Sequence, residues 1–583
     1  MSWLLAVVGK NPSTIQSSDL ARLHPPPLHC VVSETSYVAA GGIPQTCLHG
    51  SFRDPVDGRL ARWLVLGLGI SRHDGYCRFI SSLEWERILE QTQPNLRALD
   101  GHFAILRWRE GLMECFTDQL GMRTLHIAKV PDGIAVSTQL DWITQLRGQC
   151  EIDFEEFGSH WLTFNQFSYR SLVKGVDRLG PLGHASIEGG SYSITHHEWP
   201  LEFGRSSEEE LVAILQSLIN PQLDNLRSLT VGLSGGLDSR LLVALLLAAK
   251  RPFSLHLFGH PDEPDVKIAR RIAAAEHLPQ QHYHDSLPPR DECLSRLKTF
   301  VVRSGGNSPA SGFVKQRYYD RIHADQRVLI DGGMAEIARR QFMNRLLRLG
   351  HRALVSRQRP PLLPYVSYDR ASIFNKEAMH DMQRGAEVQL DATLRDTWRR
   401  DEVGLENFLD LLVVRYRFPN YAGYGQQYMD GEIVSYMPFA QPSFVRAALA
   451  TPVQSKKNGR LFRQLIRRCH PSLTKFPLVK GYSTYPYSLQ PTPALVWMKA
   501  KSLVHSPFVD PAPIQILTVL SDFVQDTAHS SEVRNYAPYD HAAILKVVTE
   551  FYQGKREHAR DLDWWLSFEL WRTSLQSEKR FTL

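Results

Sequence analysis

One short run of glycines, serines and an aspartate lies where a strand pattern meets an apolar helix pattern. The run is Val-Gly-Leu-Ser-Gly-Gly-Leu-Asp-Ser-Arg, residues 231–240, and the helix pattern covers residues 241–249. Backbone N–H groups and hydroxyls at the mouth of a helix attract phosphate oxygens, and glycines allow close approach. Asp238 would repel a phosphate unless a divalent cation lay between them, so we interpret it as a magnesium ligand. The alternative is an ordinary glycine-rich turn capped by Ser or Asp.

This run resembles the pyrophosphate loop of the ATP pyrophosphatases, enzymes that split ATP to AMP and pyrophosphate. The resemblance implies that ATP and Mg²⁺ are the cofactors and that Asp238 binds the metal ion. The loop residues that it assigns to the nucleotide are Leu233, Ser234, Gly235, Gly236, Asp238 and Ser239.

Strand and helix patterns alternate around this loop. Residues 229–233 and 253–259 read as strands, and residues 265–277 as a helix. The alternation predicts a doubly wound parallel sheet, whose ligands bind at the carboxyl ends of the strands. Phe258 lies at such an end, where the resembled synthetases contact adenine. A place in the hydrophobic core is the alternative for this ring.

A second motif follows another strand pattern. Residues 328–337, Val-Leu-Ile-Asp-Gly-Gly-Met-Ala-Glu-Ile, resemble the asparagine synthetase signature Ser-Gly-Glu-Gly-Ala-Asp-Glu beside the phosphates. The resemblance assigns Asp331 and Gly332 to the nucleotide and Glu336 to magnesium, with Asp331 as the rival metal ligand. A capped helix start is the alternative for both carboxylates. Gly333 replaces the first glutamate of the signature, so the group that takes the proton from the amine stays open.

Two basic residues are further candidates for catalysis. Lys480, in Phe-Pro-Leu-Val-Lys-Gly-Tyr, matches the Lys-Gly-aromatic ending of the synthetases. It would stabilise charge on the α-phosphate and on a later oxyanion. Arg303 lies where the family has a polar loop for substrate and pyrophosphate. An exposed surface role is the alternative for each. The arginines beyond the second motif have the spacing of a solvated helix face: Arg339, Arg340, Arg345 and Arg348.

The stretch before residue 442 departs from the family. The synthetases carry Glu-x-Arg-x-Pro-Phe-Leu-Asp, and an ungapped match gives Val434, Tyr436 and Gln441 in place of the three charged residues. Glu432 is a candidate catalytic residue if the chain shifts there, and a solvated turn glutamate is the alternative. These departures predict an altered substrate pocket.

The first 200 residues read as short strands, at residues 4–8, 63–66, 103–108, 112–116, 125–129 and 134–137. The segments 99–106 and 116–126 resemble the glutamine amidotransferase domain of asparagine synthetases. The family uses a cysteine after the initiator Met, but this chain has Ser2. We therefore expect an α/β protein with a degenerate Ntn-hydrolase (glutaminase-like) sandwich over residues 1–203. A doubly wound ATP pyrophosphatase domain would follow over residues 204–583.

Composition excludes several classes of protein. The chain has 583 residues and a formal net charge of +6, with no basic block typical of nucleic-acid binding. Its seven cysteines are scattered and odd in number, which argues against a disulfide framework or a zinc site. No apolar stretch is long enough for a membrane segment. These features predict a cytoplasmic protein.

The missing cysteine suggests that the attacking amine belongs to the same molecule as the activated carboxylate. Arg240 and the departures at residues 434–441 resemble lasso peptide cyclases, which adenylate an Asp or Glu side chain of a precursor peptide and join it to the N-terminal amine. That resemblance implies a precursor-peptide substrate and a leader peptidase partner. Three alternatives stay open: a β-lactam synthetase-like reaction on a small amino acid, an asparagine synthetase-type amidation, and a non-catalytic binding scaffold.

Overall fold

The protein is described by a computed structural model. The described residues are 2–9, 27–55, 57–197, 203–204, 206–223, 228–340, 346–347, 350–355, 362–396, 404–489, 491–504 and 508–576. Within these ranges, none of the helices combines the length and apolar character needed to cross a bilayer.

The first part of the chain forms thirteen strands within the described ranges: β1 Trp3–Val8, β2 Pro27–Val32, β3 Ser36–Gly41, β4 Cys47–Arg53, β5 Leu60–His73, β6 Tyr76–Phe79, β7 Asp100–Arg109, β8 Leu112–Thr117, β9 Leu125–Val130, β10 Gly133–Ser137, β11 Asp177–Leu179, β12 Gly183–Glu188 and β13 Ser191–His196. They build two antiparallel sheets, with orders β11-β9-β10-β1-β3-β2 and β13-β12-β8-β7-β5-β4, and β6 pairs with β5. All six strand predictions for this part fall inside observed strands.

The two antiparallel sheets pack face to face between helices. Leu4 of β1 points into the core between the sheets, and its neighbour Leu5 points to the other face. That outer face packs on helices Leu140–Arg147, Phe154–Leu162 and Ala559–Gln576. On the second sheet, Trp63 packs with Trp85 of helix Ser82–Leu89. Because side chains alternate between the faces of a strand and both faces are buried, β1 is apolar throughout.

A parallel sheet forms the second part. Its strands are β14 Ser228–Gly232, β15 Phe253–Phe258, β16 Gln280–Tyr283, β17 Arg327–Ile330 and β18 Ser435–Tyr436. The order is β16-β15-β14-β17-β18, and every pair is parallel. The chain thus builds outward from β14 on one side and then returns to extend the sheet on the other. The protein is therefore a mixed α/β protein with two antiparallel sheets and the parallel sheet that the sequence predicts.

Helices connect the strands of the parallel sheet and pack on both parts of the chain. Those in the described ranges are Glu208–Leu218, Leu237–Ala248, Pro264–Ala275, Arg290–Arg303, Phe313–Gln316, Tyr319–Ala324, Glu336–Arg339, His351–Val355, Leu363–Val366, Lys376–Asp396, Leu405–Leu412, Gly423–Met429, Pro442–Ala450, Val453–Lys456, Arg460–Cys469, Pro491–Val504, Ala512–Val519, Ser521–His529, Ser531–Arg534 and His541–Tyr552. A π-helical turn spans Val413–Ala422, and a short hairpin pairs β19 Leu478–Lys480 with β20 Ser483–Tyr485. The helix Ala559–Gln576 returns to the first part of the chain, where Thr144 Oγ1 donates to the Leu575 carbonyl at 3.0 Å.

Candidate functional site

Two predicted motifs meet at the carboxyl edge of the parallel sheet. The loop 233–236 follows β14 and the segment 331–335 follows β17, and these two strands are neighbours. The strand order reverses between them, which is where open α/β sheets bind ligands. A Cβ on Gly332 would lie 3.1 Å from the backbone nitrogen of Ser239. The structure therefore brings the second motif against the first turn of helix Leu237–Ala248.

Hydrogen bonds fix the glycine-rich loop. The Ser234 N–H donates to Ser239 Oγ at 3.1 Å, and the Gly236 N–H donates to Ser234 Oγ at 3.2 Å. The Gly235 N–H donates to Asp265 Oδ1 at 2.7 Å. Asp265 thus places a carboxylate oxygen on one of the amides that the sequence assigns to a phosphate. Burial raises the pKa of Asp265, against the Gly235 hydrogen bond and the charges of Lys315 and Arg240.

Arg240 holds the loop to a distant part of the chain. Its side chain is fully buried, and its Nη2 donates to the Gly235 carbonyl at 3.2 Å and to the Pro477 carbonyl at 2.8 Å. Its Nη1 donates to the Phe476 carbonyl at 2.8 Å. The Val479 N–H closes the contact by donating to the Gly235 carbonyl at 3.0 Å. The hairpin that carries Lys480 is therefore fastened to the glycine-rich loop.

Arg339 bridges the two carboxylates assigned to magnesium. Its Nε lies 3.0 Å from Asp238 Oδ1, and its Nη2 lies 3.3 Å from Glu336 Oε2. Burial raises the pKa of Asp238, and the charge of Arg339 opposes that rise. The expectation that Arg339 and Arg340 lie on a solvated helix face is wrong. Arg340 is buried, with its Nε 3.2 Å from Asp410 Oδ1, while Arg345 and Arg348 lie outside the described residues.

Asp331 lies at the end of β17 with its carboxylate turned onto its own loop. The Gly333 N–H donates to Asp331 Oδ1 at 2.6 Å. Burial raises the pKa of Asp331 above its ordinary value, and the hydrogen bond from Gly333 only partly opposes that rise. In the described part of the chain, no group of three or more His, Cys, Asp or Glu side chains is arranged to hold a metal ion. A cation here would therefore rely on one or two carboxylates and on ligands from a bound molecule, as Mg²⁺ commonly does.

Phe258 belongs to an aromatic cluster at the end of β15. Its ring lies 5.9 Å from Tyr318 in a stacked arrangement and 5.6 Å from Tyr319 edge to face. The ring is half-buried, so one part packs in the core and another borders the carboxyl edge of the sheet. Beside it, a Cβ on Gly259 would lie 2.1 Å from Glu263 Oε2, which explains a glycine there.

Arg303 and Glu432 are brought together. Arg303 Nη1 lies 3.7 Å from Glu432 Oε1. The charges of Arg303 and Glu432 both act on Tyr428. Its pKa is raised mainly by burial and also by the charge of Glu432, while the charge of Arg303 opposes the rise. Burial, and then the charge of Asp331, raises the pKa of Tyr319. Arg303 also lines a small pocket together with Thr124, His126 and Thr138 from the antiparallel-sheet part of the chain.

The remaining predicted residues differ in exposure. Lys480 is exposed at the end of β19. Val434, Tyr436 and Gln441 are all buried. The Tyr436 hydroxyl donates to the Leu218 carbonyl at 2.6 Å, and Gln441 Oε1 accepts from the Gly101 N–H at 2.7 Å. Gln441 therefore joins the two parts of the chain, and Val434 and Tyr436 belong to the core.

Ser2 lies in a buried polar network rather than in an open pocket. Arg123 Nη2 donates to Ser2 Oγ at 2.9 Å, and Arg123 Nη1 lies 2.9 Å from Asp430 Oδ2. His102 Nε2 lies 2.8 Å from Asp430 Oδ1, and Gln426 donates to the same oxygen at 3.0 Å. All five side chains are buried. This network joins the antiparallel sheets to the helix that precedes β18.

The structural roles of three residues of the site escape prediction from the sequence. Asp265 opens a helix, which suggests a local cap, but its partner is Gly235. Arg240 begins an otherwise apolar helix run, and a charge in a buried run is a signal that could have revealed it. Arg339 carries no local signal, because the carboxylates that it bridges come from two separate motifs.

Comparisons with known proteins give weak matches. No family model matches the chain, and no curated protein does. Two solved structures are similar at 13% identity: the allosteric regulatory enzyme of purine biosynthesis, with a TM-score of 0.22, and glutamine phosphoribosylpyrophosphate amidotransferase from B. subtilis complexed with ADP and GMP, with a TM-score of 0.19. Each match covers 48% of this chain and 59% of the other. Likeness at this level supports no argument about activity.

Proposed function

We propose that this chain is an ATP-dependent, amide-forming ligase of the asparagine synthetase-like ATP pyrophosphatase type. An N-terminal glutaminase-like Ntn-hydrolase domain would span residues 1–203, and the adenylating domain residues 204–583. The observation that carries the proposal is the meeting of the Ser234–Ser239 loop and the Asp331–Gly333 segment where the parallel strand order reverses. A glycine-rich loop at a helix N-terminus in that position favours phosphate binding.

In the proposed reaction, a carboxylate oxygen of the substrate attacks the α-phosphorus of ATP and pyrophosphate leaves. An amine of the same molecule then attacks the acyl carbon, AMP leaves, and the amine loses a proton. Asp238 and Glu336 would hold Mg²⁺, which neutralises the phosphate charge. The proximity of these two carboxylates supports a shared cation site, because the Arg339 guanidinium, a single cation, already pairs with both. Lys480 would stabilise developing negative charge, and its hairpin is fastened to the phosphate loop through Gly235.

The state of Ser2 favours a nucleophile other than ammonia from glutamine. Its hydroxyl accepts a hydrogen bond from a fully buried guanidinium that is itself paired with Asp430. The Ser2 side chain is itself fully buried, and a serine hydroxyl is a weaker nucleophile than a cysteine thiol. We therefore favour macrolactam formation on a precursor peptide, as in lasso peptide cyclases, with a leader peptidase as partner in the cytoplasm. A β-lactam synthetase-like reaction on a small amino acid is the second candidate.

The decisive experiment is ATP–pyrophosphate exchange with a candidate precursor peptide. We expect Asp238→Asn to lower exchange by roughly 100-fold, because loss of a single group that stabilises transition-state charge commonly costs about 10²–10³ in rate. The matched control is Asp74→Asn, in an exposed turn between β5 and β6, which should retain full exchange. Exchange that survives Asp238→Asn would refute the proposed site, and a wild type with neither ATP binding nor exchange would favour the scaffold alternative.

A second form of the substrate tests the source of the amine. A peptide with an acetylated N-terminus should still support exchange but should yield no ring. Incubation with glutamine should release no glutamate, and glutamate release at turnover rates would favour asparagine synthetase-type amidation instead.

A further inference from the structure

One segment of the chain has a marked charge bias. No Asp or Glu occurs between Glu432 and Asp510. The basic residues in the same segment are Arg446, Lys456, Lys457, Arg460, Arg463, Arg467, Arg468, Lys475, Lys480, Lys499 and Lys501. The whole chain carries 61 acidic residues in 583, so an acid-free segment of this length is a local feature. Such a bias raises the local concentration of anionic partners.

The segment folds around an open groove of about 560 Å³ beside the β19–β20 hairpin. Three basic side chains line it, from Arg467, Lys475 and Lys501, and its lining contains no carboxylate. Lys501 Nζ donates to Thr484 Oγ1 at 2.6 Å, which fixes that ammonium group at the β20 wall. Trp497 lines the groove and is 49% exposed. The groove therefore offers three positive charges around one apolar surface.

The shape of the groove favours a peptide over a nucleic acid. Stacking of successive bases needs several accessible rings, but Tyr485 and Tyr487 in this groove are buried, and only Trp497 presents a face. Among the described strands, β20 pairs with β19 alone. Addition of a peptide strand beside a strand that has a single strand partner is a common mode of peptide recognition.

The groove lies directly behind the candidate site. Pro477 lines the groove, and its carbonyl accepts from Arg240 at 2.8 Å. Arg240 in turn donates to the Gly235 carbonyl of the phosphate loop at 3.2 Å. On the same hairpin, Lys480 of β19 pairs in register with Ser483 of β20. A ligand in the groove would therefore contact the segment that positions Lys480 and the loop.

We propose that this groove binds an acidic peptide segment that carries a large apolar side chain. The carboxylates of the segment pair with Arg467, Lys475 and Lys501, and the apolar side chain lies on Trp497. Peptide binding is a property of the groove itself. The assignment of the bound peptide segment to the substrate rests on the proposed function. On that assignment, one part of the substrate binds in the groove while its reacting carboxylate lies in the adenylation site.

The test measures binding without ATP. The probe is a short fluorescein-labelled peptide rich in Asp and Glu with a central phenylalanine, and the readout is fluorescence anisotropy with the full chain. We expect saturable binding that weakens with salt, since exposed charges are screened. Arg467→Glu with Lys475→Glu should weaken it at least tenfold. The matched control is Arg460→Glu with Arg468→Glu. These two exposed residues lie on the helix that carries Arg467 but outside the groove lining.

The outcomes separate the alternatives. Equal losses in both double variants would show a diffuse charge effect and overturn the groove. Tighter binding of a single-stranded oligonucleotide of matched charge would overturn the peptide assignment, as would a wild type that binds no acidic peptide. ATP–pyrophosphate exchange of the wild type is measured separately. If exchange fails while peptide binding behaves as expected, the groove stands and only the proposed function falls.

Discussion

The buried network around Asp430 should dominate the stability of the contact between the two parts of the chain. Asp430 and Arg123 are both fully buried and lie 2.9 Å apart, and Asp430 also accepts from Gln426 and pairs with His102. Asp430→Asn removes the charge but keeps the shape, and it leaves the Arg123 guanidinium without its counter-ion. Breaking a buried pair by removing one partner costs about 3–5 kcal/mol. We therefore expect a loss of about 3 kcal/mol in the free energy of unfolding.

The measurement is urea unfolding followed by tryptophan fluorescence. The control is Glu151→Gln, which breaks the exposed pair with Lys174 and should cost less than about 1 kcal/mol. Arg123→Met combined with Asp430→Asn removes both charges, and it should recover at least about 1 kcal/mol relative to the sum of the single changes. A cost below about 1 kcal/mol for Asp430→Asn, or strict additivity in the double variant, would refute the reasoning.

The same network predicts a pH dependence with a definite sign. Burial alone raises the pKa of Asp430, but the charges of His102 and Arg123 and the hydrogen bonds from His102 and Gln426 hold it below the ordinary value of 3.8. A lowered pKa in the folded state contributes stability above the unfolded pKa, and that stability is lost as pH falls through the folded pKa. The stability difference between wild type and Asp430→Asn should therefore shrink when the pH falls below about 4.

Three further outcomes follow from the surroundings of single residues. Burial raises the pKa of Asp563 from 3.8 to about 7. The contribution of this side chain to the free energy of unfolding is therefore fully present below pH 3.8 and is lost as the pH rises through 7. Asp563→Asn should stabilise the chain at pH 8, by up to about 4 kcal/mol, and should change its stability little at pH 4. Gly332→Ala should weaken ATP binding, whereas Gly425→Ala, where a Cβ meets nothing within 4 Å, should leave it intact. Of the seven thiols, only the exposed Cys30 should react rapidly with Ellman's reagent in the native state.

Local patterns predict most of the architecture around the site. The strands at 228–232 and 253–258 and the helix at 264–275 lie within one or two residues of their predicted bounds, because apolar runs and their Gly and Pro boundaries are local signals. The meeting of Gly332 with Ser239 was also foreseeable, since carboxyl ends of neighbouring parallel strands share one edge. These parts depend on short-range chemistry and on a general rule of topology.

The contacts that tune the site could not be predicted in the same way. Arg339 was expected on a solvated face, yet it bridges Asp238 and Glu336. The position of the Arg339 side chain depends on how two separate loops pack against each other. The spacing of charges along one helix carries no information about that packing. Likewise, the departures at Val434 and Tyr436 predict an altered substrate pocket, which stays a prediction, while the structure shows both side chains buried in the core. Sequence identifies which chemistry is possible, and packing decides which side chains deliver it.

The anchoring of the loop by Arg240 has a consequence for biosynthesis. The carbonyl groups that receive this guanidinium, at Phe476 and Pro477, leave the ribosome more than two hundred residues after the arginine itself. Until then the Arg240 guanidinium lacks its acceptors at Phe476 and Pro477, and the turn around Gly235 lacks its contact with the Val479 N–H. The proposed nucleotide-binding region should therefore mature late during translation, and chains that terminate before residue 476 should be targets for proteolysis.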